Sequence, residues 1–103
     1  MPQMARGRRL AALANLCDGD EVLDVGCGDG RTTLVLFATN RNVKRIVGYD
    51  VSANQIAAAE ELASRTENAD FANIASFVCE DFAEAHLPDD ELFTLAFSNL
   101  AVH

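Results

Sequence analysis

Three glycines separated by single residues interrupt this chain early, in the run Asp24-Val25-Gly26-Cys27-Gly28-Asp29-Gly30, directly after the apolar pair Val22-Leu23. Glycine lets the backbone take positive φ and lets a ligand approach the main chain with no Cβ in the way. A strand that stops in such a loop and reopens as a helix presents that helix's first amides, with their partial positive charge, to whatever sits in the loop. Many nucleotide-binding folds use a glycine-rich loop, so the loop is informative only together with its neighbours.

The neighbours alternate short strand-like and longer helix-like segments. Glu21 to Val25 reads as a strand ended by the glycines, and Arg31 to Thr39 as a helix with Leu34, Phe37 and Ala38 on one face. Arg45 to Asp50 is a second strand. Ser52 to about Arg65 is a helix that Ser52 can cap, with Gln55 three residues on to close a capping box. Its stripe is Ile56, Ala59, Leu62 and Ala63, with Glu60, Glu61 and Arg65 outward. Ile74 to Cys79 and Leu92 to Phe97 are the third and fourth strands, the latter after the turn chemistry of Pro88-Asp89-Asp90. The pattern is that of an α/β, Rossmann-like doubly wound sheet of four mainly parallel strands with flanking helices. If Leu92 to Phe97 pairs on one side only, its apolar edge is uncovered. On that ground the chain is expected to be truncated after the fourth strand, or to need a second chain along that edge.

Composition narrows the partners. The 103 residues allow one small domain, and the net charge of −8 disfavours a phosphate backbone or an anionic membrane surface, so neither nucleic acid nor membrane is expected. Cys17, Cys27 and Cys79 form no Cys-x-x-Cys pair, which speaks against a zinc knuckle, and no metal is expected. The odd count fits a reducing, cytoplasmic compartment. The first 17 residues carry Arg6, Arg8 and Arg9 and no acid, the composition of a mitochondrial presequence. Leu10, Leu13, Ala14 and Cys17 nevertheless fall on one helical stripe, and a helix packed ahead of the first strand is the preferred reading.

In open α/β sheets, ligands bind at the carboxyl ends of the strands, so the residues there should carry the function. The dinucleotide fingerprint needs glycine where this chain has Arg31, and it usually has an apolar residue where this chain has Asp24. A hydride-transferring Rossmann enzyme is disfavoured accordingly. Asp24 is awkward beside a pyrophosphate and useful beside a cationic amine; its bland alternative is a cap. Asp50, about twenty residues beyond Gly30, stands at the distance of a ribose-binding acid, though it could simply open the next helix. Asp81 could accept from an exocyclic amine beside Phe82, or be an ordinary strand-end turn residue.

At these residues the sequence resembles a known family. Val22-Leu23-Asp24-Val25-Gly26-Cys27-Gly28-Asp29-Gly30 is similar to motif I of the class I S-adenosylmethionine-dependent methyltransferases. Ile46-Val47-Gly48-Tyr49-Asp50-Val51-Ser52 resembles the family's second strand, which ends in the acid that holds the ribose hydroxyls. Phe77-Val78-Cys79-Glu80-Asp81-Phe82 resembles the third, whose closing Asp contacts the adenine amine. Leu92 to His103, with Ser98-Asn99-Leu100-Ala101-Val102-His103, resembles the fourth strand and its loop, as in small-molecule methyltransferases.

The resemblance implies S-adenosyl-L-methionine as cofactor. It also implies a cofactor-contacting set of Asp24, Gly26, Cys27, Gly28, Gly30, Asp50, Val51, Gln55, Asp81, Phe82 and Asn99. Val51 and Gln55 would flank the adenine, Gln55 standing where relatives often have Met; Thr94 stands where they often have Asp. The expected function is methyl transfer to an unidentified, small-molecule acceptor; the alternative is a catalytically inactive cofactor-binding or partner-dependent regulatory module. The only histidines, His86 and His103, are not assigned to catalysis, and no catalytic residue is named.

Overall fold

The computed structural model describes residues 9–11, 16–81 and 93–97. Five parallel strands form one sheet: β1 (Arg9–Ala11), β2 (Glu21–Val25), β3 (Arg45–Asp50), β4 (Ala75–Cys79) and β5 (Phe93–Phe97). Their spatial order is β1-β5-β2-β3-β4. From β2 the chain steps outward to β3 and β4, then returns to the other side of β2 as β5. The order therefore reverses at β2, and the carboxyl end of β2 is the switch point where an open α/β sheet leaves a crevice.

Central β2 is buried over Val22, Leu23, Asp24 and Val25 without alternation, as a parallel strand covered on both faces should be. Its register sets Val22 opposite Ile46 and Asp24 opposite Gly48 on β3, and Leu23 opposite Leu95 on β5. On one face Val22 and Ile46 pack with Leu36 and Phe37 of helix α1 (Arg31–Thr39) and Phe71 of helix α3 (Ala69–Ile74). Phe71 links the rings of Phe37 and Phe77, with centroids 5.6 and 6.3 Å apart. Arg41 lies 4.6 Å above the centroid of Phe37 and reaches Asp70 beyond it.

Four expectations change. β5 does not leave an open edge, because β1 pairs with it on the side away from β2, Leu10 opposite Leu95. The ground for expecting a second chain along that edge is thereby removed. Consequently Leu10 is in a strand rather than a helix; Leu13 and Ala14 lie outside the described residues, and Leu16, not Cys17, is buried. The unpaired backbone groups of β5 give a three-residue segment a partner that local periodicity does not register. Second, α1 buries Thr33, Leu36 and Phe37, while Ala38 is exposed and Leu34 half-buried. The helix is turned so that the Thr33 hydroxyl reaches a buried carboxyl group.

Third, α3 was not anticipated: six residues are too few to show a period, and Phe71 is its one buried side chain. Docking of that ring rather than propensity accounts for the helix. Fourth, helix α2 (Ala53–Ala63) starts on Ser52 as expected, with Ser52 Oγ accepting from Gln55 N at 3.3 Å, but the other half of the capping box is replaced. Ser52 N donates to Asp50 Oδ1 at 2.9 Å instead. Ile56 and Ala59 are buried, Leu62 and Ala63 half-buried, and Glu60, Glu61 and Arg65 exposed. Among the described residues, no helix is long and apolar enough to cross a membrane, and no group of three or more His, Cys, Asp or Glu could hold a metal ion.

Candidate functional site

At the switch point the chain turns through the glycine loop. Gly26, Gly28 and Gly30 all have positive φ, at 78°, 60° and 90°. A side chain at any of them would strain the backbone. At Gly30 space is short as well, since a Cβ there would lie 3.0 Å from Ala59 Cβ and 3.1 Å from its Cα. Glycine at 30 thus lets the start of α1 close onto α2.

The loop is sewn to the end of β3. Gly26 N and Cys27 N both donate to Tyr49 O, at 2.8 and 3.0 Å, and Gly28 N donates to Asp50 Oδ2 at 3.0 Å. Asp50 holds the crossing point. One carboxylate oxygen accepts from the loop and the other from Ser52 N at the head of α2. A carboxylate has about four lone-pair sites, so a half-buried Asp50 keeps acceptor capacity beyond these two bonds. Its own carbonyl accepts from Glu80 N at 2.9 Å, which carries the β3–β4 ladder up to the level of the loop.

Beneath the loop, Asp24 is completely buried and accepts a 2.5 Å hydrogen bond from Thr33 Oγ1. Burying a carboxylate is costly unless it is hydrogen-bonded, so Thr33 is part of what makes an acid tolerable there. Cys27, in the loop itself, is also buried. Loss of solvent pushes its thiol up from 9.0 to about 12, with the carboxylates of Asp24 and Asp50 pushing the same way. Asp29, on the outer side, bonds Arg31 through both its backbone N–H and its guanidinium, which holds the Asp29 carboxyl below its usual range. Burial raises the Tyr49 phenol, and the charge of Glu80 adds to the rise.

The structure therefore brings Asp24, Gly26, Cys27, Gly28, Gly30 and Asp50 into one cluster at the ends of β2 and β3. Val51 follows directly with 69% of its surface exposed, an apolar side chain in water beside the Asp50 carboxylate. Cys79 Sγ reaches its carbonyl at 3.6 Å. Gln55 is exposed on the first turn of α2, and Asp81 is exposed just beyond β4. Phe82 and Asn99, like His86 and His103, lie outside the described residues.

Sequence reasoning missed three contributors. Thr33, four residues before Phe37 on α1, is not among the residues that the sequence pattern singles out. Ser52 was read only as a cap, although its amide orients Asp50. Gly48, a glycine in mid-strand, was the one available signal of close approach, and a Cβ there would meet Cys27 at 2.9 Å. A groove of about 340 Å³ between α2, α3 and the first half of β4, lined by Glu60, Ser64, Ser76 and Phe77 among others, is away from the carboxyl ends of the strands.

Residues 16–103 match the family model described as a methyltransferase domain. An uncharacterized methyltransferase of Schizosaccharomyces pombe is 38% identical over 89 residues, covering 86% of this chain and 30% of that protein. A protein-lysine N-methyltransferase of Saccharolobus islandicus is 33% identical over 88 residues, covering 85% and 52%. The chain thus spans about a third to a half of the length of these relatives. Among solved structures, coclaurine N-methyltransferase bound to N-methylheliamine and SAH superposes with a TM-score of 0.58 at 26% identity, over 72% of this chain and 20% of that one.

Proposed function

The chain belongs to the methyltransferase-domain family, and from that membership we propose that it is the cofactor-binding portion of an S-adenosylmethionine-dependent methyltransferase acting on a small-molecule acceptor. The observation that carries the reading is the Asp50 carboxylate. It is half-buried at the switch point of the sheet and tied to Gly28 N and Ser52 N, with acceptor capacity to spare. Two vicinal ribose hydroxyls are the donors such a group suits. The loop fits the same ligand: three glycines at positive φ leave no Cβ between the backbone and an aminoacyl tail.

Val51 supplies an apolar surface for one face of the adenine, with Gln55 beside it on α2, and Asp81 an acceptor for the exocyclic amine. Phe82 and Asn99 complete the proposed contacts. Asp24 acts from below through Thr33 and the base of the loop, since no part of it is open to solvent. The cofactor brings an activated, electrophilic methyl group on a sulfonium. The work of these residues is to hold it in one orientation and to keep water from its reacting face.

SAH in complex with the coclaurine enzyme supports the cofactor assignment, and N-methylheliamine in that complex supports a small-molecule acceptor. A lysine side chain, as in the name of the Saccharolobus relative, is the competing acceptor. Isothermal calorimetry with S-adenosylhomocysteine tests the reading: binding to the wild-type chain and loss of affinity in Asp50→Ala are expected. No binding, or binding indifferent to Asp50, would sink it. Binding without transfer to any acceptor by the whole protein would instead favour an inactive cofactor-binding module.

A further inference from the structure

Gly48 stands in the middle of β3, where a glycine contributes no packing and weakens a strand. Its conformation does not call for glycine, because among the described residues the positive-φ glycines are 19, 26, 28 and 30. Space does. A Cβ at position 48 would meet Cys27 Cβ, Cys27 Sγ and Phe77 Cδ1, each at 2.9 Å, where ordinary contact begins at 3.4 Å. The Cys27 side chain is seated directly on the bare α-carbon of Gly48, and both residues are buried.

We propose that Cys27 and Gly48 are positioning residues for the cofactor, their contact setting the height of the glycine loop above the sheet and with it the direction of the Asp50 carboxylate. The inference rests on the cofactor reading given above. The loop meets β3 through three hydrogen bonds of 2.8–3.0 Å, to Tyr49 O twice and to Asp50 Oδ2 once, and these acceptors are the two residues after Gly48. Cys27 is the central residue of the three donors. A methyl group at 48 must push it outward by about 0.5–1 Å to reach normal contact distance. Amide bonds near 3.0 Å stretched by that amount leave hydrogen-bond range. Gly28 would then release Asp50, whose carboxylate would keep its bond from Ser52 N. With its thiol protonated at neutral pH, Cys27 acts as a shaped apolar filler rather than as a nucleophile.

The test uses Gly48→Ala, Cys27→Gly and the double variant, with two readouts: amide hydrogen exchange at Gly28, and the dissociation constant for S-adenosylhomocysteine measured by calorimetry below the melting transition. Gly48→Ala is expected to speed Gly28 exchange about tenfold relative to Leu23 and Val47 in the ladder, and to weaken binding about tenfold. Adding Cys27→Gly should restore part of both, since it removes the two Cys27 atoms that collide and leaves only the ring edge of Phe77 at 2.9 Å. Should Gly48→Ala not fold, Cys27→Ala approaches the same contact from the other side and should loosen both readouts a few-fold. Unchanged Gly28 exchange and affinity in the single variants would overturn the proposal, as would a double variant no better than Gly48→Ala. If Gly28 exchange responds as described but the wild type binds no S-adenosylhomocysteine, the interlock stands and the cofactor reading fails.

Discussion

Replacing Thr33 by Val keeps the volume and the β-branch of the side chain and removes only the hydroxyl. That hydroxyl donates at 2.5 Å to the carboxylate of Asp24, and both residues are fully buried between β2 and α1. A hydrogen bond to a charged group contributes about 1.5–3 kcal/mol, and its removal inside the protein exposes the desolvation cost of the acceptor. A loss of roughly 2 kcal/mol is therefore expected in Thr33→Val, which for a chain of this size lowers the melting temperature by about 10 °C. Thr33→Ser, which keeps the donor and loses a methyl group, should cost about 1 kcal/mol. Urea unfolding monitored by circular dichroism measures both. A Thr33→Val chain within about 0.5 kcal/mol of wild type, or less stable than Thr33→Ser by no measurable amount, would refute the assignment of Thr33 as the support of the buried acid.

Asp50→Ala removes two acceptors of backbone N–H groups as well as the proposed ribose contact; affinity for S-adenosylhomocysteine should fall by about 10–100-fold, roughly 1.4–2.8 kcal/mol, by calorimetry. Gly30→Ala combines a φ of +90° with a Cβ 3.0 Å from Ala59 Cβ, and should destabilise by about 2 kcal/mol or more in the same urea assay. With the Cys27 thiol raised from 9.0 to about 12, the unfolded chain loses this proton first, so the group's contribution is complete below pH 9 and disappears between pH 9 and 12. Cys27 should lower stability across that window by at most about 1.4 kcal/mol per pH unit. Tyr49, also raised, adds to the fall, so the shallower slope of Cys27→Ala relative to wild type is the quantity to measure.

Much of the sheet was legible because its strands are short apolar runs with hard stops. Glu21–Val25 ends in glycine, Arg45–Asp50 ends in an acid before a capping serine, and both strands, with the helix Arg31–Thr39, were bounded correctly from the sequence. What escaped was whatever depends on a distant partner. Arg9–Ala11 is a strand only because β5 has an edge to fill, and Ala69–Ile74 is a helix only because Phe71 has a pocket between Phe37 and Phe77. Burial of Thr33 in place of Ala38 follows from the depth of Asp24, which motif spacing does not report. The candidate site was readable in its residues and less so in its wiring. The glycines, Asp50 and the exposed Val51 meet as the pattern implied, whereas the Asp50 bridge from Gly28 to Ser52 and the seat of Cys27 on Gly48 required the fold.

In the proposed function the glycine loop and the ends of β3 and β4 form one S-adenosylmethionine site. A two-dimensional NMR titration of the labelled chain with S-adenosylhomocysteine tests it most directly. Saturable shifts are expected at the amides of Gly26 to Gly30, Asp50 to Gln55, and Glu80 and Asp81, with Asp50→Ala needing about 10–100-fold more ligand to reach them. No shifts, or shifts centred on the groove near Glu60, Ser64 and Ser76, would contradict it.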